Sequence, residues 1–159
     1  MLARKMIGFW LLAGPLLMAE VIVGYRGAVP LSLPGAADSN SPVVWWNGRL
    51  VAFTSDGVAR RSEGANLEEL SGLEETRWAG PTRSRWIEAA WVDNDDTMYV
   101  WFHSEPSGIC SNSLTAPVIG AGVSDDGGRT FRDLGIILEA GDTPNCNALN
   151  GFFAGGHGD

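Results

Sequence analysis

Histidine and cysteine are scarce in this chain of 159 residues: His103 and His157 are the only histidines, Cys110 and Cys146 the only cysteines. There is no Cys-x-x-Cys and no closely spaced His pair, so the ligand spacings of a zinc site are missing and neither a metal nor a cofactor is expected. Basic charge is also short. The chain has 11 Lys and Arg against 19 Asp and Glu, a net charge of −8, and its basic residues form no long run or stripe. Nucleic acid is therefore excluded as an expected partner, because phosphate binding draws on clustered positive charge. Helical periodicity is almost absent from the body of the chain.

What is present begins with a leader. Arg4 and Lys5 precede an apolar run over residues 6–18, the charge-then-hydrophobe order of a secretory signal. Pro15 and the shortness of the run count against a spanning helix, while the apolar continuation "VIVGY" leaves an uncleaved anchor open. Residues 1–27 are thus expected to be a signal peptide or a membrane anchor, and residues 28–159 a separate folded unit. The expected location is secreted, periplasmic or extracellular, with N-terminal anchoring as the alternative and the membrane a partner only through that segment. In an oxidising compartment Cys110 and Cys146 read as one disulfide closing a long loop, against the alternative of two buried thiols.

The body of the chain is a series of short runs rich in Val, Ile, Trp, Tyr and Phe, separated by turn residues, which predicts an all-β fold. "PVVWW-NG-RLVAFTS" (42–55) is a hairpin whose Asn-Gly pair suits a type I′ turn. "WIEAAWVD-NDDT-MYVWFHSEP" (86–106) repeats it. Asp93, Asp95 and Thr97 loosely echo a calcium loop, but Met98 stands where that loop needs glycine, so the segment reads as a solvated turn. A third strand and a turn into a fourth follow each hairpin, "GVARRSEGANLEEL" and "VIGAGVSDDGGRTFRDLGIIL". Aligned in kind, Ser62 answers to Ser124, Leu67 to Phe131 and Leu70 to Leu134, with the two serines about sixty residues apart. Four-stranded units repeated at this spacing predict propeller blades near 38–80 and 84–139, with a further blade starting at 148–159.

"SDDGGRTF" (124–131) resembles the Asp-box, Ser-x-Asp-x-Gly-x-Thr-aromatic, with Ser124, Asp126, Gly128, Thr130 and Phe131 filling its positions. Asp126 and Thr130 can hydrogen-bond the turn backbone, the glycines permit positive φ, and Phe131 can plug the space between sheets. In families carrying this BNR-type repeat, sialidases among them, the box lies on the outer hairpin of a blade, away from the catalytic centre. The resemblance therefore assigns Asp126 a structural role.

Propellers gather functional groups on their innermost strands, where the blades converge. The first strands of successive units offer Asp38, Glu88 and Asp159. Carboxylates on successive inner strands resemble the layout of five-bladed glycoside hydrolases of the arabinanase, xylosidase and invertase type. That resemblance implies Asp38 as nucleophile or base, with Glu88 and Asp159 unranked between acid and auxiliary roles. Each also has a plain reading, Glu88 as a polar residue on a solvated strand face and Asp38 as a turn cap. His103, Glu105 and Trp101 form a second cluster at a strand end and suit a sugar subsite, a stacking aromatic included, although His103 equally suits a structural hydrogen bond. A sialate carboxylate calls for arginines from separate blades, whereas Arg77, Arg83 and Arg85 cluster before one strand.

The expected function is a secreted glycoside hydrolase-like propeller acting on carbohydrate substrates; the alternative is a non-catalytic extracellular propeller that binds a glycan or a protein. Two blades and the lip of a third do not close a ring and would leave edge strands exposed, so a fragment of a longer protein, inactive as it stands, is also expected.

Overall fold

The runs either side of Asn47-Gly48 can pair only if the chain reverses within those two residues, and both take positive φ, 47° and 74°, as a type I′ turn requires. In the computed structural model, which describes Gly24, Gly27 and residues 30–157, this reversal joins β1 (Val43–Trp46) to β2 (Arg49–Ser55). β3 (Ala59–Gly64) and β4 (Ser71–Glu75) complete an antiparallel sheet in the order β1-β2-β3-β4. The chain then forms β5 (Arg77–Ala79) before a second meander of β6 (Trp86–Val92), β7 (Met98–Ser104), β8 (Val118–Ser124) and β9 (Thr130–Leu138). β5 pairs in parallel with β9, giving the sheet order β5-β9-β8-β7-β6. The fold is all-β, two propeller-like sheets in succession. Nearly all of the expected leader, and Asp159, lie outside the described residues. Among the described residues no helix is long and apolar enough to cross a membrane.

Strand alternation aims one face of each sheet at the other. Val51 and Phe53 from β2 meet Ile87, Met98, Val100 and Phe102 from β6 and β7, and Phe131 from β9 joins them; all are fully buried. Burial of this kind stabilises by about 1.5–3 kcal/mol per large side chain. Phe131 touches both sheets, its ring centroid 6.0 Å from Phe53 and 4.6 Å from Trp78 of β5. The parallel strand β5 thus sets an aromatic wedge beside the box residue, a feature that the sequence pattern did not signal.

The turn from β8 to β9 is closed by Ser124 and Asp126. Asp126 Oδ1 accepts from the Ser124 hydroxyl (2.8 Å) and from the amides of Arg129 (3.0 Å) and Thr130 (2.8 Å). Ser124 Oγ in turn accepts from the Gly128 amide at 2.9 Å. Burial pushes the Asp126 carboxyl up, but the Thr130 amide, the Ser124 and Thr130 hydroxyls and the Arg129 amide outweigh it and hold the carboxyl below its ordinary value. Gly127 and Gly128 have φ of 72° and 84°, and a Cβ on either would stand 2.5 Å from a ring atom of Trp46 or Phe53. Glycine is required twice over, for conformation and for the close approach of the turn to the first sheet.

Charge reinforces the same junction. Arg129 crosses to Glu63 (2.9 Å) and Glu74 (3.3 Å) of the first sheet, which also hold the buried Arg61, each at 2.6 Å. The Arg61 hydrogen bond, against opposing burial and aided by the charges of Arg61, Arg129 and Arg49, keeps the Glu63 carboxyl below its usual range. The expected match of the two units fails beyond their third strands. In place of a box turn, Asn66 caps a short 3-10 helix, Leu67–Glu69, and Leu67 is exposed rather than a plug like Phe131.

Cys110 and Cys146 are bridged across a separation of 36 residues. The bridge ties the β7–β8 loop to the segment after β9, where Leu114 and Ala154 pack beside it in a small second core. Such a bridge is a mark of chains that fold in an oxidising, extracellular or periplasmic environment.

Candidate active site

An inner strand that starts with Trp-Ile-Glu would ordinarily send Trp86 and Glu88 to one face. Here Ile87 pairs with Phe102 and Ala89 with Trp101, so Glu88 is the extra residue of a β-bulge in β6. Bulges re-aim a side chain without ending the sheet. Glu88 is turned onto His103 of β7, whose Nδ1 lies 2.5 Å from Glu88 Oε1. The contact is a hydrogen bond whose direction follows the imidazole tautomer. The His103 side chain is 3% exposed and that of Glu88 18%, so the imidazole is buried behind a carboxyl that solvent still reaches.

Trp86 connects this pair to the first sheet. It sits opposite His103 in the ladder, and its ring lies flat on the imidazole, 4.6 Å between centroids and 7° between planes. Its indole N–H donates to Asp38 Oδ1 at 2.6 Å. Asp38 precedes β1 and is anchored by its own amide, which donates to the Ser55 carbonyl at the end of β2 (3.0 Å). Ser55 is fully buried, and its hydroxyl accepts from the Ile87 amide at 3.1 Å. Asp38, Trp86, His103 and Glu88 thus form one connected row across the neighbouring ends of the two sheets.

Of the residues expected from the sequence, Asp38, Glu88 and His103 stand in this row, and Asp159 lies outside the described residues. Trp101 is half-buried on β7, opposite Ala89. Glu105 lies past the end of β7; its amide donates to Ser84 Oγ at 3.4 Å and its side chain lines a separate cavity. The box stands apart. Met98 pairs with Ser124 at one end of β7 and Ser104 with Val118 at the other, which sets the box turn roughly 20 Å along the strand from His103. Sequence reasoning missed Trp86 and Ser55. The available signal was position alone, a tryptophan opening an inner strand.

Compared with family models and with curated proteins, the chain matches none. The site is accordingly read from its own chemistry. Among the described residues no three or more His, Cys, Asp or Glu side chains gather as a metal-binding set. The Asp93 turn is closed by protein donors, with Asp93 Oδ1 accepting from the amides of Asp95 and Thr97. Arg83 and Arg85 both converge on Asp133, at 3.5 and 2.7 Å, and Arg85 lies over the Trp78 ring. What the row offers is a carboxyl hydrogen-bonded to a buried imidazole, and an exposed carboxylate at the far side of the indole that stacks on that imidazole.

Proposed function

We propose that this chain belongs to a secreted, glycoside hydrolase-like propeller that cleaves a glycosidic bond at the Asp38–Glu88 end of its sheets. The observation that carries this reading is the linkage of Asp38 and Glu88, carboxyls at the starts of neighbouring sheets, through Trp86 and His103. Glycoside hydrolysis needs one carboxyl to protonate the leaving oxygen and a second, charged one to act as base or nucleophile. We assign Glu88, hydrogen-bonded to the buried His103, to the acid role. We assign Asp38, exposed and held by the indole N–H, to the role of nucleophile or base, and the sequence resemblance leaves Asp159 the auxiliary role. The Asp-box resemblance and the disulfide agree with an exported propeller. The Arg83 and Arg85 pairing with Asp133 argues against the sialidase variant, because both guanidiniums come from one segment and turn to the same buried carboxylate.

The test is hydrolysis of a panel of aryl glycosides by the secreted protein and by its Asp38→Asn and Glu88→Gln variants, with folding followed by circular dichroism. Each variant is expected to keep its fold and lose about 10²–10⁴-fold in kcat. Unchanged turnover would remove the assignment and leave a glycan- or protein-binding propeller.

A further inference from the structure

Past His103, the strand ends of the second sheet open onto two cavities. One, of about 640 Å³, is walled by residues including Arg83, Ser84, Ser104 and Glu105. The other, of about 660 Å³, lies among the loops tied by the disulfide and takes in Asp142 and His157. Pro106, Val118 and Glu139 line both, so the two are neighbours across a shared wall. Each has the volume of a small-molecule site. They stand at the Glu88 end of the sheet, because Ser84 lies two residues before Trp86 and Ser104 directly follows His103.

The lining decides what fits. Thr82, Ser84, Ser104 and Ser107 supply hydroxyls that both donate and accept, matching the hydroxyls of a sugar. Arg83 is the only guanidinium on either wall among the described residues, and it shares the buried Asp133 with Arg85, which lies closer to it, at 2.7 Å against 3.5 Å. Glu105, Glu139 and Asp142 add negative charge to the walls of a chain whose net charge is already −8. A carboxylated sugar entering there meets three carboxylates, Glu105, Glu139 and Asp142, against the one guanidinium of Arg83.

Resting on the hydrolase reading for the position of the cleaved bond, we propose that the two cavities form one trench that holds several units of a neutral oligosaccharide and discriminates against acidic sugars. The test is calorimetric binding of neutral tetrasaccharides built from glucose, xylose, arabinose or mannose, of the matching monosaccharides, and of a uronic-acid tetrasaccharide, each run beside a hydrolysis assay. At least one neutral tetrasaccharide is expected to bind about tenfold or more tighter than its monosaccharide and than the uronic-acid chain. Thr82→Trp, which fills the first cavity, should abolish that advantage, and Glu139→Lys should narrow the discrimination against the uronic acid; circular dichroism and thermal unfolding verify that both variants fold. Affinity independent of chain length, or tightest binding of the uronic-acid chain, overturns the trench. Chain-length-dependent binding without hydrolysis upholds the trench and removes the hydrolase. Hydrolysis of aryl monosaccharides with no chain-length preference does the reverse.

Discussion

Replacing Asp126 with alanine removes the carboxylate oxygen on which the Ser124 hydroxyl and the amides of Arg129 and Thr130 converge. Gross energies overstate the loss, because water replaces part of what is removed. Thr130 is exposed and Arg129 half-buried, so each amide forfeits roughly 0.5 kcal/mol. The Ser124 hydroxyl is buried and loses the acceptor it donates to, at roughly 1–1.5 kcal/mol. The expected destabilisation is therefore about 2–2.5 kcal/mol. For a folded unit of this size, at about 3–5 °C per kcal/mol, the melting temperature falls by about 6–12 °C. Asp125→Ala is the control: Asp125 is exposed beside the turn, and its loss should stay within about 0.5 kcal/mol. Urea and thermal unfolding followed by circular dichroism measure both. The gap between wild type and Asp126→Ala should also narrow in acid, where the wild-type carboxylate is protonated. Equal melting of the two variants, or an Asp126→Ala gap that does not change with pH, would refute the account of the box as a turn held by one charged acceptor.

Glu63 and Asp126 are both held below their ordinary values of 4.5 and 3.8, so the stability they contribute is fully present above those values and is lost as pH falls through the lower, folded-state ones. Melting temperature should hold steady from neutral pH to about 5 and then decline, with high salt weakening the more exposed Arg129 contacts; a melting temperature that rises on acidification through this range contradicts the ion network at the junction. Reduction of Cys110–Cys146 releases a loop of 36 residues and should cost about 3–4 kcal/mol on the chain-entropy estimate, with hydrogen exchange rising first in the Leu114–Ala154 core while amides of β2 and β7 stay protected; uniform loss of protection would refute a separate disulfide-tied subcore.

The order of strands was legible in the sequence because its determinants are local. Alternating β-branched and aromatic residues predict strands, Asn47-Gly48 predicts a reversal that needs two positive φ angles, and the spacing of Ser124, Asp126, Gly128 and Thr130 encodes a turn that closes on its own side chains. The carboxylates Asp38 and Glu88 could be nominated for a similar reason, each lying at or just before an inner strand. What joins them could not be read along the chain. Trp86 and Asp38 are 48 residues apart and meet only because the two sheets pack with these ends side by side, and Glu88 faces His103 only because β6 bulges by one residue. A bulge has no reliable composition signal, since it depends on the pairing register with another strand. The parallel pairing of β5 with β9, and the exposed Leu67 where a plug was expected, have the same origin. Local propensity specifies what a segment can become, but contacts between sheets decide which side chains share a site.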